Sequence, residues 1–524
     1  MLCDIKKGEN MKPLFLSKSR YTEYAICPKK FWLQCHKKEL AVIDAVTMAV
    51  FEKGHEVGEK AKELFPGIID VTTKKACGTL NYDEMCKKTL DLISKGCQAI
   101  AEAAFKHNIA STDDKGNTIQ NTIYCAVDIL VKVGDGVFDI FEVKSSTDVE
   151  EIYLHDIAFQ RHVINSIDGL KVRDCYIVHI NTDYVRKGDI DVNELFISKN
   201  VTALLEDYSC HILENIENAI KLHAQKSEPQ LCLSRNCIEP YKCQFYDYCT
   251  KHLPKQSVFN VYNWKTKAFE HYGNGIVSFK DIQNSQIKLS DVQRWQINSQ
   301  SNIDKKGIRS FLGKLKFPLY FLDFETWGMT TAIPLYDGQK PYRQIPFQYS
   351  IHILQNENDD TMTHKEFLAD ENKDEWRTLA MRLIQDIPDD GGSIMIYNKS
   401  FEPARIKEMA KAFSDLEEPL MKLTKRMEDM YYDVFKKGYL YTPEMGGSFS
   451  IKSVFPALSN DPELDYTKLK EVQNGNDATR AFLELKTFTN KKKRDYLREQ
   501  LMAYCKLDTK AMGVLYRELR KKAL

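Results

Sequence analysis

Three thiols crowd one short segment, NCIEPYKCQFYDYC, as Cys237, Cys243 and Cys249, with Cys232 just upstream. Thiols this close in a chain without a secretory signal point to a soft metal, and both zinc and iron–sulfur centres ask for four thiolates. The fourth could be Cys232 or a distant residue such as Cys27 in YAICPKKFWL. A second set of residues suits a hard cation. Asp128 stands in the apolar run YCAVDILVKV, and Glu142 and Lys144 follow in FEVKSS. Side chains alternate along a strand, so Glu142 and Lys144 share a face, and a hairpin through GDG sets Asp128 beside them. Two carboxylates so placed can hold Mg²⁺ or Mn²⁺ through oxygen, and the lysine can orient water or balance charge on a phosphate. Gln160, in DIAFQRHV, can reach the same place from the next helix. The bland alternative is a solvated strand face, but an unpaired Asp in so apolar a run is costly.

A third set lies in the last 210 residues or so. Asp323 and Glu325 alternate onto one face of FLDFET, with Phe321, Leu322 and Phe324 filling the core. Asn398 and Glu402 fall at a strand-to-helix junction in YNKSFEPAR, with Asp429 and Asp433 in RMEDMYYDVF as alternative acids. Tyr504 and Asp508 in YCKLDTKA are four apart, on one face of a helix. Gly446-Gly447-Ser448, followed by Lys452, could offer backbone N–H groups to a phosphate. The basic run Lys491 to Arg494 and the aromatics Tyr262, Trp264, Trp327 and Tyr342 are candidates for backbone and base contacts with single strands.

The elements that must carry these residues are those of an α/β protein. Helix is expected over 17–65 with a turn at Pro28, over 82–104, 149–167 and 201–225, and from Lys491 to the end. Strands are expected at YCAVDILVKV, VFDIFEVKSS, VRDCYIVHIN, FPLYFLDFETW, QIPFQYSIHILQ and SIMIYNKS. The division is 1–255, a helical connector at 256–316, and 317–524. Among 524 residues there are 74 Lys+Arg and 74 Asp+Glu. No global field announces a polyanion, and any nucleic-acid contact must come from local patches. The absence of a signal-peptide run or a long apolar span predicts a cytoplasmic protein with no membrane partner. The other cysteines, Cys3, Cys35, Cys77, Cys86, Cys97, Cys125, Cys175, Cys210 and Cys505 among the 14, read as ordinary packing residues.

The order early Cys, Asp, Glu-x-Lys, helical Gln, late Cys triplet resembles the RecB-type nuclease domains with an iron–sulfur staple, found in AddB and in CRISPR-associated exonucleases. That resemblance implies a PD-(D/E)xK restriction-endonuclease-like fold. It implies a [4Fe–4S] cluster on Cys27, Cys237, Cys243 and Cys249, catalytic Lys144 and Gln160, and metal ligands Asp128 and Glu142. The early histidine of that family would be His55 in FEKGHEVGEK, and an acid from its first helix would be Glu102. Ile164 stands where those relatives carry Tyr. The second half resembles the DEDD exonucleases of the DnaQ-like, ribonuclease-H-like superfamily. There Asp323, Glu325, Glu402 and Asp508 would hold the metals and Tyr504 would position water, with Glu402 in place of the usual Asp. The pairing of a RecB-like with a DnaQ-like domain is similar to an uncharacterised bacterial family. It implies a DNA nuclease with two sites, acting on single-stranded ends in repair or defence, the second site from the 3′ end. RNA as substrate, zinc in place of the cluster, and a nucleic-acid-binding scaffold with one vestigial site are the alternatives.

Overall fold

A computed structural model describes residues 12–112, 115–328, 331–459, 461, 464–465 and 468–524; Cys3 lies outside them. The chain is mixed α/β and divides into two units, one of residues 1–251 with 332–341, the other of residues 252–331 with 342–524. Residues 256–316, expected as a connector, therefore belong to the second unit. They carry a small core of their own built on Val258, Trp264, Phe279 and Ile297.

The first unit opens with a short strand, β1 (Phe15–Ser17), and two helices, α1 (Lys18–Ile26) and α2 (Pro28–His36). The expected turn at Pro28 is made by Cys27. It ends α1 and caps α2, its sulfur accepting from Lys30 N at 3.4 Å, with proline in the first turn where no N–H is needed. Helix α3 (Ala45–Ala61), strand β2 (Ile69–Asp70) and helix α4 (Tyr82–Ser94) follow. The sheet continues with β3 (Ala99–Thr112), β4 (Thr118–Gly134) and β5 (Val137–Val143). Helix α5 (Glu151–Asn165), β6 (Lys171–Ile180) and β7 (Phe196–Asn200) complete it. The order is β2-β3-β4-β5-β6-β7, with β1 parallel to β4.

Two expectations are corrected here. The helix predicted to Ala104 stops at Ser94, where Gly96 takes a positive φ, and Ala99 onward is strand. Ala99, Ala101, Ala103 and Ala104 favour helix intrinsically, but they are buried in the sheet, and that burial overrides propensity. The helix predicted over 201–225 is broken into short turns before a regular helix at Ile212–Ala224. Its start is pinned to β6, because Thr202 Oγ1 accepts from Cys175 N at 2.8 Å.

The second unit pairs a minor ribbon, β8 (Asn302–Ile303) with β14 (Leu440–Tyr441), and builds its main sheet from β9 to β13. These are β9 (Leu319–Trp327), β10 (Ile345–Leu354), β11 (Thr363–Leu368), β12 (Ile394–Ile396) and β13 (Met427–Asp429). The order is β11-β10-β9-β12-β13, with β10 antiparallel to both neighbours and β12 parallel to β9 and β13. The helix Lys491–Ala523 packs on β9 and β10. Strand β10 is buried throughout, and three of its polar side chains bond to that helix. Gln348 Nε2 donates to Leu501 O at 2.9 Å, and Ser350 Oγ and His352 Nδ1 meet Thr509 Oγ1 at 2.7 and 2.8 Å. No helix among the described residues is long and apolar enough to cross a membrane.

Candidate functional site

In the first unit the hairpin β4–β5 and helix α5 bring Asp128, Glu142, Lys144 and Gln160 together. Glu142, 2% exposed, is the centre. Its oxygens accept from Lys144 Nζ at 2.6 Å, from Gln160 Nε2 at 2.7 Å and from Lys18 Nζ at 3.0 and 3.1 Å. Burial works against its ionised form, but the Lys144 and Lys18 ammonium groups win and hold Glu142 well below the usual carboxylate range. Asp128 moves the other way, raised by burial and by the Glu142 charge, while its Oδ2 accepts from Val143 N at 2.8 Å. Lys144 is also gripped by Asp156 Oδ2 at 2.8 Å.

Two members of this cluster escaped the sequence reading. Asp156 sits one helical turn before Gln160, which donates to it at 3.1 Å, so the i, i+4 spacing could have revealed it. Lys18 had no local signal. It follows β1, whose parallel pairing Ser17↔Tyr124 delivers it to Asp128, with Nζ to Oδ1 at 3.6 Å. Glu102 reaches the site from strand β3, not from a helix. The register runs Ala101↔Ile129 and Ala103↔Val127, which sets Glu102 opposite Asp128. Its φ of 55° is in the left-handed region, a strained conformation for glutamate inside a strand. Burial and the Asp128 charge raise its carboxyl to about 7. His55 is not brought there: it is exposed on α3, and the ion pairs and hydrogen bonds of the Glu142 cluster do not include it.

The cysteines expected as ligands converge as well. The thiols of Cys237, Cys243 and Cys249 are raised by burial, Cys249 to about 11, and each feels the charge of Cys27. Asn236 Nδ2 donates to Ile26 O at 3.1 Å and Cys243 N to Cys237 O at 2.9 Å, tying the late loop to the α1–α2 junction. Trp32, Leu33 and Phe245 form the apolar backing, with Cys243 and Cys249 packed against them. Cys232 is exposed. Every described cysteine is a free thiol.

In the second unit Asp323 and Glu325 lie on β9 and face the Lys491–Ala523 helix, which carries Tyr504, Cys505 and Asp508 on its buried side. Glu325, Asp508 and Glu402 are 6%, 7% and 3% exposed. Burial, then the Asp508 charge, raises Asp323 well above its ordinary range. Burial, then Asp323 and Asp508, does the same to Glu325; burial, then Asp323, does it to Glu402. Glu402 Oε2 is buried with no hydrogen-bond partner among the described residues. Lys452 Nζ is 3.2 Å from Tyr504 Oη and 4.9 Å from its ring centre; it also donates to Gln473 O. Its charge partly offsets the carboxylates. Among the described residues, ligand atoms of Asp323, Glu325 and Cys505 lie within 4.8 Å of one another. Cys505, read from the sequence as packing, is thus part of the acidic cluster. Its place three residues before Asp508 was the available signal.

Other expectations resolve differently. Asp429 accepts from the N–H groups of Lys399, Tyr431 and Tyr432 and so serves the loop after β13, and Asp433 pairs with Lys437 at 3.0 Å. Asn398 Oδ1 accepts from Ser400 N and Oγ, closing its own turn. The glycine pair does not form an anion cradle. Gly446 N and Ser448 N donate to Pro443 O and Met445 O, and a Cβ at Gly447 would fall 2.1 Å from Gln296 Nε2. The glycines make room for Gln296, which donates to Gly446 O at 3.0 Å. Ser448 Oγ donates to Ser450 Oγ. Trp264 and Trp327 are 5% and 6% exposed, core residues and not stacking platforms. Arg494 lies 3.7 Å from Glu371, and Lys491 pairs with Asp495 at 2.8 Å.

The chain is thus an α/β protein with a carboxylate cluster in each unit. The profile of a family described as "Domain of unknown function (DUF2779)" matches residues 320–450, which take in Asp323, Glu325 and Glu402 and stop short of Tyr504 and Asp508. The chain is 28% identical to the uncharacterized protein UU173 of Ureaplasma parvum over 62% of this chain and 50% of that protein. It is 22% identical to the uncharacterized protein MG366 of Mycoplasma genitalium over 71% of this chain and 61% of that protein. The MG366 homolog of Mycoplasma pneumoniae is 28% identical over 40% of this chain and 34% of its own length. The chain spans less than two thirds of the curated relatives it matches. The crystal structure of SSO0001 aligns with 48% of this chain and 90% of that one, at 13% identity and a TM-score of 0.27.

Proposed function

We propose that the chain is a metal-dependent nuclease with two phosphodiesterase sites, acting on DNA with single-stranded ends. One observation carries the reading: Asp323, Glu325, Glu402 and Asp508 come from three separate parts of the chain, the last three buried, and the Asp323 and Asp508 charges add to burial in raising their neighbours' carboxyls. Carboxylates so placed are costly unless a cation balances them. The donor set therefore fits Mg²⁺ or Mn²⁺, which when bound would supply Lewis acidity and an activated water. Tyr504, one helical turn before Asp508, would hold a water at the site, and Lys452, at the tyrosine hydroxyl, would meet the phosphate. The sheet order β11-β10-β9-β12-β13, with its second strand antiparallel, suits a ribonuclease-H-like exonuclease unit.

In the first unit Asp128, Glu142 and Glu102 are the candidate ligands of a divalent ion, Gln160 orients Glu142, and Lys144 is the lysine of the Glu-x-Lys pair. The arrangement suits a PD-(D/E)xK nuclease site. Cys27, Cys237, Cys243 and Cys249 suit a [4Fe–4S] cluster. Such a cluster would join the start of the unit to its end and serve as a structural staple.

The test is degradation of end-labelled single-stranded DNA and RNA with Mg²⁺ or Mn²⁺, comparing wild type with Asp323→Ala and Lys144→Ala. Loss of 3′-end degradation in the first variant and of the remaining cleavage in the second is expected. Wild-type activity in both variants would refute the site assignment, and inactivity on every nucleic acid would favour a binding scaffold.

A further inference from the structure

The thiol of Cys505 is fully buried, yet it lies against the acids of the second unit, with Sγ 3.6 Å from Asp323 Oδ2. That distance has a chemical meaning. A tetrahedral ion with bonds of about 2.3 Å to sulfur and about 2.1 Å to carboxylate oxygen sets the two donors about 3.6 Å apart. Glu325 brings a third ligand atom into the same group. Glu402, 3% exposed and acted on by the Asp323 charge, carries a buried carboxylate oxygen with no hydrogen-bond partner among the described residues. We infer that Cys505 is a metal ligand, and that Asp323, Glu325 and Cys505, with Glu402 beside them, form a mixed oxygen and sulfur site that prefers a thiophilic divalent ion, Zn²⁺ or Co²⁺, to Mg²⁺. Soft sulfur selects such ions, whereas Mg²⁺ demands oxygen donors. Binding forms a metal–sulfur bond and breaks the S–H bond, with the proton leaving to water. The inference rests on the cation-binding part of the preceding proposal and not on nuclease activity.

The experiment uses the full chain, stripped of metal by a chelator and titrated with Co²⁺, Zn²⁺ and Mg²⁺ separately. Equilibrium dialysis counts bound ions, and absorption reads the sulfur-to-cobalt charge-transfer band. The four clustered cysteines contribute a background, so the signal of interest is the part lost in variants of this site. Cys505→Ser, which keeps shape and burial, is expected to weaken one tightly bound Zn²⁺ per chain by about tenfold or more and to delete one share of the cobalt–sulfur band. Asp323→Asn should delete the same share, and Mg²⁺ binding should survive Cys505→Ser. Thermal melts are the check that both variants are folded. Co²⁺ bound at the acids with a band unchanged by Cys505→Ser would overturn the inference while leaving the acidic metal site standing. Absence of any divalent ion sensitive to Asp323→Asn would overturn both.

Discussion

Lys18 Nζ stands 3.0 and 3.1 Å from the two carboxylate oxygens of Glu142, and 3.6 Å from Asp128. An ammonium thus lies between the two acids read as divalent-metal ligands. Burial opposes its charge, but Asp156, Glu142 and Asp128 together hold its proton on well above the ordinary range. A unit charge at such a distance is worth roughly 4 kcal/mol at an effective dielectric of 20. Lys18→Met is therefore expected to tighten Mn²⁺ binding at the first site by about tenfold or more, measured by calorimetry on the full chain. Unchanged or weaker Mn²⁺ binding would show that the lysine does not compete with the ion.

Glu102 holds a left-handed backbone opposite Asp128. Glycine adopts that conformation without the side-chain clash, so Glu102→Gly should raise unfolding free energy by about 1 kcal/mol. The same change removes a ligand and should weaken Mn²⁺ binding. A loss of stability in denaturant titrations would mean that the carboxyl contributes more to the fold than the strained backbone costs.

Cys27 and Cys232 differ sharply in setting, one at the α1–α2 junction among the other thiols, the other exposed. Anaerobically purified Cys27→Ser is expected to lose its iron and its sulfur-to-iron absorption, and Cys232→Ser to keep both. A colourless wild-type protein with stoichiometric zinc would refute the iron–sulfur assignment.

The rings of His352 and His364 lie 4.5 Å apart between centres, with planes tilted by 36°, on neighbouring strands of the second unit. Burial first, then their mutual repulsion, lowers His352 to about 3; burial and Lys506 lower His364 to about 4. Both are neutral in the fold, whereas the unfolded chain protonates them near pH 6.5. Their contribution is present above pH 6.5 and is lost progressively as the pH falls toward 4 and 3. Urea titrations should show stability declining between pH 7 and pH 4 by at most about 6 kcal/mol, less what solvent screens at the part-exposed His364. In the double variant His352→Gln, His364→Gln much of that slope should vanish. An equal slope in the variant would place the acid sensitivity in the carboxylates instead.

Much of this arrangement could be read from local pattern. Alternation put Asp323 with Glu325 and Glu142 beside Lys144, and helical spacing put Tyr504 with Asp508, because periods of two and 3.6 residues are properties of the backbone itself. The apolar runs of β4, β9 and β10 announced buried strands for the same reason. Where local preference and burial disagreed, the pattern misled: the alanines of β3 favour helix, yet the sheet buries them, so Glu102 arrives on a strand. Glycines 446 and 447 looked like a phosphate loop, but only the packed structure shows that Gln296 needs the space. Lys18 lies more than a hundred residues before Asp128 in sequence. Only the parallel pairing of β1 with β4 joins them. The kinds of chemistry were therefore written in residue types and short spacings. Which groups meet, and which cation a cluster of buried acids can accept, was decided by long-range strand pairing and helix packing, since those alone set the distances over which charge and coordination act.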